Sequence, residues 1–161
     1  MALPPPRILV GFDPARNNMG VAALSQLGAG TYAVVHTAVW DTTESKRRAC
    51  IRDTYTALAE NMRNMPHLSD AAVVGVERQM YAREARIEGA TMGATRARGL
   101  NARLVDPIQV KRAMRAALDD SGAPAGYARN KADVLRLVHN MGATFVTNHN
   151  VAEIGRASCR E

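Results

Sequence analysis

The spacing of hydrophobic residues along this chain changes several times, and each change marks an element. Arg7–Asp13 (RILVGFD) is an apolar, β-branched run closed by Pro14, which predicts a strand. Ala15–Asn18 reads as a turn. Met19–Ser25 and Thr31–Trp40 predict two more strands, joined across Gly28 and Gly30 as an antiparallel meander. Thr43 can cap a helix that runs to about Met65, because Ile51, Tyr55, Leu58, Met62 and Met65 recur at steps of four, three, four and three. Pro66 stops it. Ala71–Glu77 (AAVVGVE) is a continuous apolar run, as in a strand buried on both faces.

Ala82–Leu100 reads as a helix with a stripe of small residues: Gly89, Ala90, Gly93, Ala94 and Ala97. Such a stripe lets another backbone come close, either the sheet or a second subunit. Ala102–Val105 predicts a short strand, and Pro107 opens a helix through Leu118. A turn-rich loop, Asp119–Gly126, leads to an amphipathic helix over Asn130–Met141 that Gly142 ends. Phe145–Thr147 is short and extended, and a last helix starts near His149. The order β-β-β-α-β-α-β-α predicts an α/β fold. Its five-stranded mixed sheet has three antiparallel strands followed by parallel ones, with helices on both faces.

Composition narrows the class. At 161 residues and 47% hydrophobic, the chain is the size of one globular domain. No apolar run is long enough for a membrane helix, and the opening Pro4-Pro5-Pro6-Arg7 is unlike a secretory signal. Cys50 and Cys159 form neither a disulfide framework nor a zinc pattern, so a reducing compartment is expected. An intracellular setting is the default. Lys and Arg outnumber Asp and Glu by 21 to 15, and eighteen of the cations are arginines. Arginine's planar fork suits bidentate phosphate contacts, so the balance points to a nucleic acid read through its backbone. Gly28-Ala29-Gly30 is too short for a nucleotide loop, and no small-molecule cofactor is expected.

Two acids stand out. Asp13 follows Val10-Gly11-Phe12 and Glu77 follows Val74-Gly75-Val76, so each is the first charge after a hydrophobic strand. Acids also end strands for structural reasons alone, but the matched contexts favour a pair. If the two strands are neighbours, both carboxylates meet at one end. Close carboxylates repel, and a hard divalent cation relieves the repulsion. His36, His67, His139 and His149 show no ligand spacing. Tyr81 is placed either to stack on a base or to pack half-buried.

These residues carry a resemblance. Ile8-Leu9-Val10-Gly11-Phe12-Asp13-Pro14, with Asn18 and Gly20-Val21-Ala22, resembles the opening of RuvC-type Holliday junction resolvases. Val76-Glu77-Arg78-Gln79 is similar to that family's second acidic motif, a strand-end Glu followed two places on by Gln. Val105-Asp106-Pro107 with Val110-Lys111 resembles the strand-to-helix segment, and Asn130-Lys131-Ala132-Asp133-Val134 the later lysine-bearing helix. Asn148-His149-Asn150-Val151-Ala152-Glu153 resembles the start of the final acidic motif. The arginine-dotted segment after Glu77 is similar to the viral and mitochondrial branches. Together the motifs cover most of residues 7–153.

The resemblance implies an RNase H-like fold and an endonuclease that cuts four-way DNA junctions as a homodimer. It implies two magnesium ions per active site, with manganese as an alternative. Asp13 and Glu77 match the first two metal-binding acids. Asn150 stands where the family has an acid or Asn, and Glu153 where it usually has Asp, a departure that strains magnesium's strict geometry. Lys111 and Lys131 match lysines near the DNA backbone, and Lys131 is the candidate to offset charge at the scissile phosphate. Arg78, Arg83 and Arg86 are the leading phosphate contacts, with Arg96, Arg98 and Arg103 extending the basic segment that Glu84 and Glu88 dilute.

Ile154–Glu161 (IGRASCRE) lacks periodicity and resembles the in-frame translation of a sequencing-adapter oligonucleotide running through Glu153. The expectation is a domain over residues 1–153, with its last helix incomplete, and a non-native tail at 154–161. Without that tail the chain remains basic. Two other functions suit the same residues: a nuclease acting on RNA or an RNA–DNA hybrid, and a non-catalytic nucleic-acid-binding module. A sugar-kinase-like ATPase needs a longer, two-lobed chain.

Overall fold

In the computed structural model, the described residues are 7–15, 18–28, 31–41, 51–109 and 112. Alternation gives strand β1 (Arg7–Asp13) two unlike faces: Ile8, Val10 and Phe12 are buried on one, while Leu9, Gly11 and Asp13 lie on the other. Strand β2 (Asn18–Gly28) pairs with it antiparallel, with Val21 opposite Phe12 and Gly20 opposite Asp13. Strand β3 (Thr31–Asp41) continues the meander. β2 is longer than the hydrophobic pattern predicts, because Gln26 and Gly28 still find backbone partners in Tyr32 and Thr31 across a register shift.

Strand β4 (Ala71–Glu77) joins the other side of β1 in parallel, and strand β5 (Ala102–Val105) pairs in parallel with β4. The sheet order is β3-β2-β1-β4-β5. This is the mixed five-stranded α/β sheet expected from the sequence.

Helix α1 (Ile51–Asn64) and helix α2 (Ala82–Ala97) pack on one face. Leu58 and Met62 of α1 and Ile87 and Met92 of α2 enclose Val10, Phe12, Val21, Val74 and Val76 in a single core. The Phe12 and Trp40 rings meet at 5.4 Å with a 51° tilt, within the favoured range for aromatic pairs. Thr43, the expected cap of α1, lies outside the described residues. After α1, His67 takes a left-handed conformation (φ 65°) that turns the chain toward β4.

α2 stops at Ala97 rather than Leu100. Gly99 adopts φ 74°, and the N–H groups of Gly99 and Leu100 donate to the carbonyls of Arg96 (2.9 Å) and Thr95 (3.3 Å), which closes the last turn. Its buried Thr91 and Thr95 hydroxyls donate to the Ile87 and Thr91 carbonyls at 2.8 and 2.6 Å, so neither is a buried orphan. The small-residue stripe splits: Ala90 and Ala94 pack on the core, whereas Gly89, Gly93 and Ala97 are exposed.

Beyond β5, Asp106 caps a helical start at Pro107–Gln109 by accepting the Ile108 N–H at Oδ1, 2.7 Å away. The rest of the helix expected to Leu118, the helix at 130–141, the extended 145–147, the final helix and the tail lie outside the described residues.

Candidate active site

β1 and β4 run in the same direction with Phe12 level with Val76. The next residues, Asp13 and Glu77, therefore end neighbouring strands side by side. Both lie on the face opposite the buried Phe12 and Val76. Their carboxyl groups are hydrogen-bonded to each other, and the Asp13 pKa is raised from 3.8 to about 8. Burial is the largest cause, the Glu77 charge the second and the bond to Glu77 the third; a bond from Gln79 pulls the other way. A carboxyl held this way keeps its proton well above the usual carboxylate range.

Gly11 and Gly75 form the register pair one step behind the acids on the same face. A Cβ on Gly75 would sit 3.2 Å from Val105 Cγ2, whereas one on Gly11 would meet nothing within 4 Å. The strand surface behind Asp13 therefore carries no side-chain bulk.

Past Glu77, the Arg78 N–H donates to the Val105 carbonyl at 2.9 Å, which carries the β4–β5 ladder one residue beyond the acid. Gln79 then turns back. Its Nε2 donates to Asp13 Oδ1 at 3.4 Å and to the Glu77 carbonyl at 3.5 Å. Its own backbone N–H donates to Glu88 Oε2 on α2 at 2.6 Å. Met80 and Tyr81 follow, 89% and 68% exposed.

The structure thus brings together Asp13 and Glu77, with Gln79 braced between them and Glu88 behind it. Glu88 was expected only to dilute the basic segment. Its contact with a loop nine residues earlier leaves no periodic mark in the sequence. Of the candidate phosphate contacts, Arg78 is exposed directly after the acidic pair. Arg86 stands elsewhere, over a groove of about 460 Å³ between α1 and α2 that Tyr55, Leu58, Gly89, Ala90 and Ala94 also line. Arg98 is taken up structurally: Nη1 and Nη2 donate to the Ala94 and Ala59 carbonyls at 2.9 and 3.4 Å, tying α2 to α1. The Arg83 side chain and Lys111, Lys131, Asn150 and Glu153 lie outside the described residues.

Among the described residues no group of three or more His, Cys, Asp or Glu side chains converges on one point. The described part of the site is a carboxylate pair. Hard oxygen donors crowded at one point suit a magnesium-like cation, which takes one or two carboxylates and completes its shell with water and substrate oxygens.

No protein-family model and no curated protein matches the sequence. Solved structures match the fold. RuvC of Thermus thermophilus in complex with a Holliday junction substrate superposes with a TM-score of 0.66 at 20% identity, over 94% of this chain and 90% of that one. A second T. thermophilus RuvC structure gives 0.66 at 17% identity, over 93% and 90%. The yeast mitochondrial Holliday junction resolvase gives 0.62 at 14% identity, over 98% and 80%.

The chain has a RuvC-like fold. In this RuvC-like sheet, Asp13 ends the central strand β1 and Glu77 ends its parallel neighbour β4. Among the described residues no helix is long and apolar enough to cross a membrane.

Proposed function

We propose that the protein is a divalent-metal-dependent endonuclease that cleaves four-way DNA junctions. The observation that carries this reading is the hydrogen-bonded pair of Asp13 and Glu77 at the level ends of two adjacent parallel strands. The fold shared with two junction resolvases supports the choice of substrate.

Asp13 and Glu77 would hold magnesium, and Asn150 and Glu153 would complete the ligand set for two ions. When bound, magnesium activates a water and neutralises charge on the phosphate. The chain's own part is to hold the carboxylates ready. Gln79 fixes one oxygen of Asp13. Asp13 would have to lose its proton for a cation to bind, so cation binding would strengthen as pH rises toward 8. Lys131 would stand at the scissile phosphate and Lys111 along the backbone. Exposed Arg78, with Arg83, would take neighbouring phosphates, and Tyr81 offers a ring to unpaired bases at the branch point. The protein would act as a homodimer, one site per cut strand.

The test compares a four-way junction, a plain duplex and an RNA–DNA hybrid in magnesium. The junction is cut and the other two are not. Asp13→Asn loses at least about 10³-fold in rate while binding the junction as well as before. Cleavage by Asp13→Asn at the unsubstituted rate sinks the mechanism, and preferential cutting of the hybrid transfers the reading to an RNase H-like nuclease.

A further inference from the structure

The bonds around Gln79 differ in strength. The link from its backbone N–H to Glu88 Oε2 is short, 2.6 Å, and has a carboxylate acceptor. The two bonds its carboxamide makes, to Asp13 Oδ1 and the Glu77 carbonyl, are long, at 3.4 and 3.5 Å. Long bonds from a flexible side chain hold a partner only if the backbone they spring from is fixed. Gln79 lies in the loop between β4 and α2, outside both ladders. Its only fixed backbone neighbour in sequence is Arg78, through Val105. The anchor for Gln79 itself comes from Glu88, partly buried in the second turn of a helix packed on the core. α2 has no side-chain cap at Tyr81, so the bond from Gln79 to Glu88 is also the tie between this loop and the start of the helix.

We infer that Glu88 is a positioning residue of the acidic site: by holding the Gln79 N–H it sets the Gln79 carboxamide, which in turn holds Asp13 in the orientation that takes a divalent cation. The inference rests on reading Asp13 and Glu77 as a cation site. Glu88 touches neither the cation nor the DNA; it acts through one neighbour on another.

The experiment measures Mn²⁺ binding to the full 161-residue protein by electron paramagnetic resonance, without DNA. The variants are Glu88→Ala, Glu88→Gln, Gln79→Ala, the Glu88→Ala/Gln79→Ala double and Asp13→Asn. Partners one step beyond a metal ligand are worth about 10–100-fold in affinity, and Glu88 stands one step further out, so Glu88→Ala weakens binding about 3–10-fold. Glu88→Gln keeps a carbonyl that accepts the same N–H and stays within about twofold of the parent. Gln79→Ala loses at least as much as Glu88→Ala, and the double loses no more than Gln79→Ala, because both act through one chain of contacts. Exchange of the Gln79 amide proton speeds up in Glu88→Ala and not in Glu88→Gln.

Parent-like affinity in Glu88→Ala, equal losses in Glu88→Ala and Glu88→Gln, or additive losses in the double each overturn the inference. If Asp13→Asn loses Mn²⁺ while Glu88→Ala keeps it, only this inference falls. If Asp13→Asn binds as the parent does, the cation-site reading falls and takes this inference with it. Should Glu88→Ala fail to fold, the Glu88→Gln and Gln79→Ala pair still decides: the first must bind as the parent and the second must not.

Discussion

Asp13 carries a charge conflict set up by its burial beside Glu77. Its pKa, about 8 in the folded chain against 3.8 for the free side chain, means that the native state keeps a proton the unfolded state has lost. The sign follows: the contribution of Asp13 to stability is greatest below about pH 4, falls as pH rises, and is lowest above about pH 8. In chelator, the difference in melting temperature between Asp13→Asn and the unsubstituted protein should therefore grow from pH 5 to pH 9, in favour of the variant. The gain at pH 9 is about 2 kcal/mol once solvent screening and sharing of the proton with Glu77 are allowed for. A difference that stays flat across this range would show that the two carboxyls do not share a buried proton. The two acids were legible in the sequence because each breaks an apolar run, and a charge there must be ending a strand. Gln79 was visible as part of a motif but without a task. Glu88 was visible only as a charge diluting the basic segment, since its partner is set by the path of a loop and loops leave no hydrophobic period.

At the level of elements, the strands were legible because apolar runs bounded by Pro, Gly or Asp leave little choice of structure. The end of α2 was not. Its pattern runs on to Leu100, but Gly99 takes the left-handed conformation and the helix has already closed at Ala97. The small-residue stripe left two partners open, and the structure divides it, with Ala90 and Ala94 inward and Gly89, Gly93 and Ala97 outward. A Cβ at Gly89 or Gly93 meets nothing within 4 Å. Each glycine costs a helix interior about 1 kcal/mol relative to alanine, so Gly89→Ala/Gly93→Ala should raise stability by about 1–2 kcal/mol. Thermal unfolding followed by circular dichroism checks it, as a gain of roughly 2–8 °C. A fall instead would mean that this edge receives another backbone, as a subunit seam would require.

Over the whole molecule, the meander and the later parallel strands were readable as an order, but adjacency was not. That β1 takes β4 rather than β3 as its second neighbour depends on long-range pairing, which no local period encodes. That pairing joins residues 64 positions apart in sequence at one point of the sheet. It also puts both acid-bearing strands inside: β1 lies between β2 and β4, and β4 lies between β1 and β5. Edge strands and helix ends open first when a protein loosens, and interior strands open only with the whole structure. Fraying at β3 or β5 therefore leaves the two carboxyls together. Amide protons of Phe12 and Val76 should be among the slowest to exchange, and warming should leave Asp13 and Glu77 side by side until the sheet itself melts. The acidic pair and the sheet would then come apart in one step, so a partly loosened molecule would still present both carboxyls at one point.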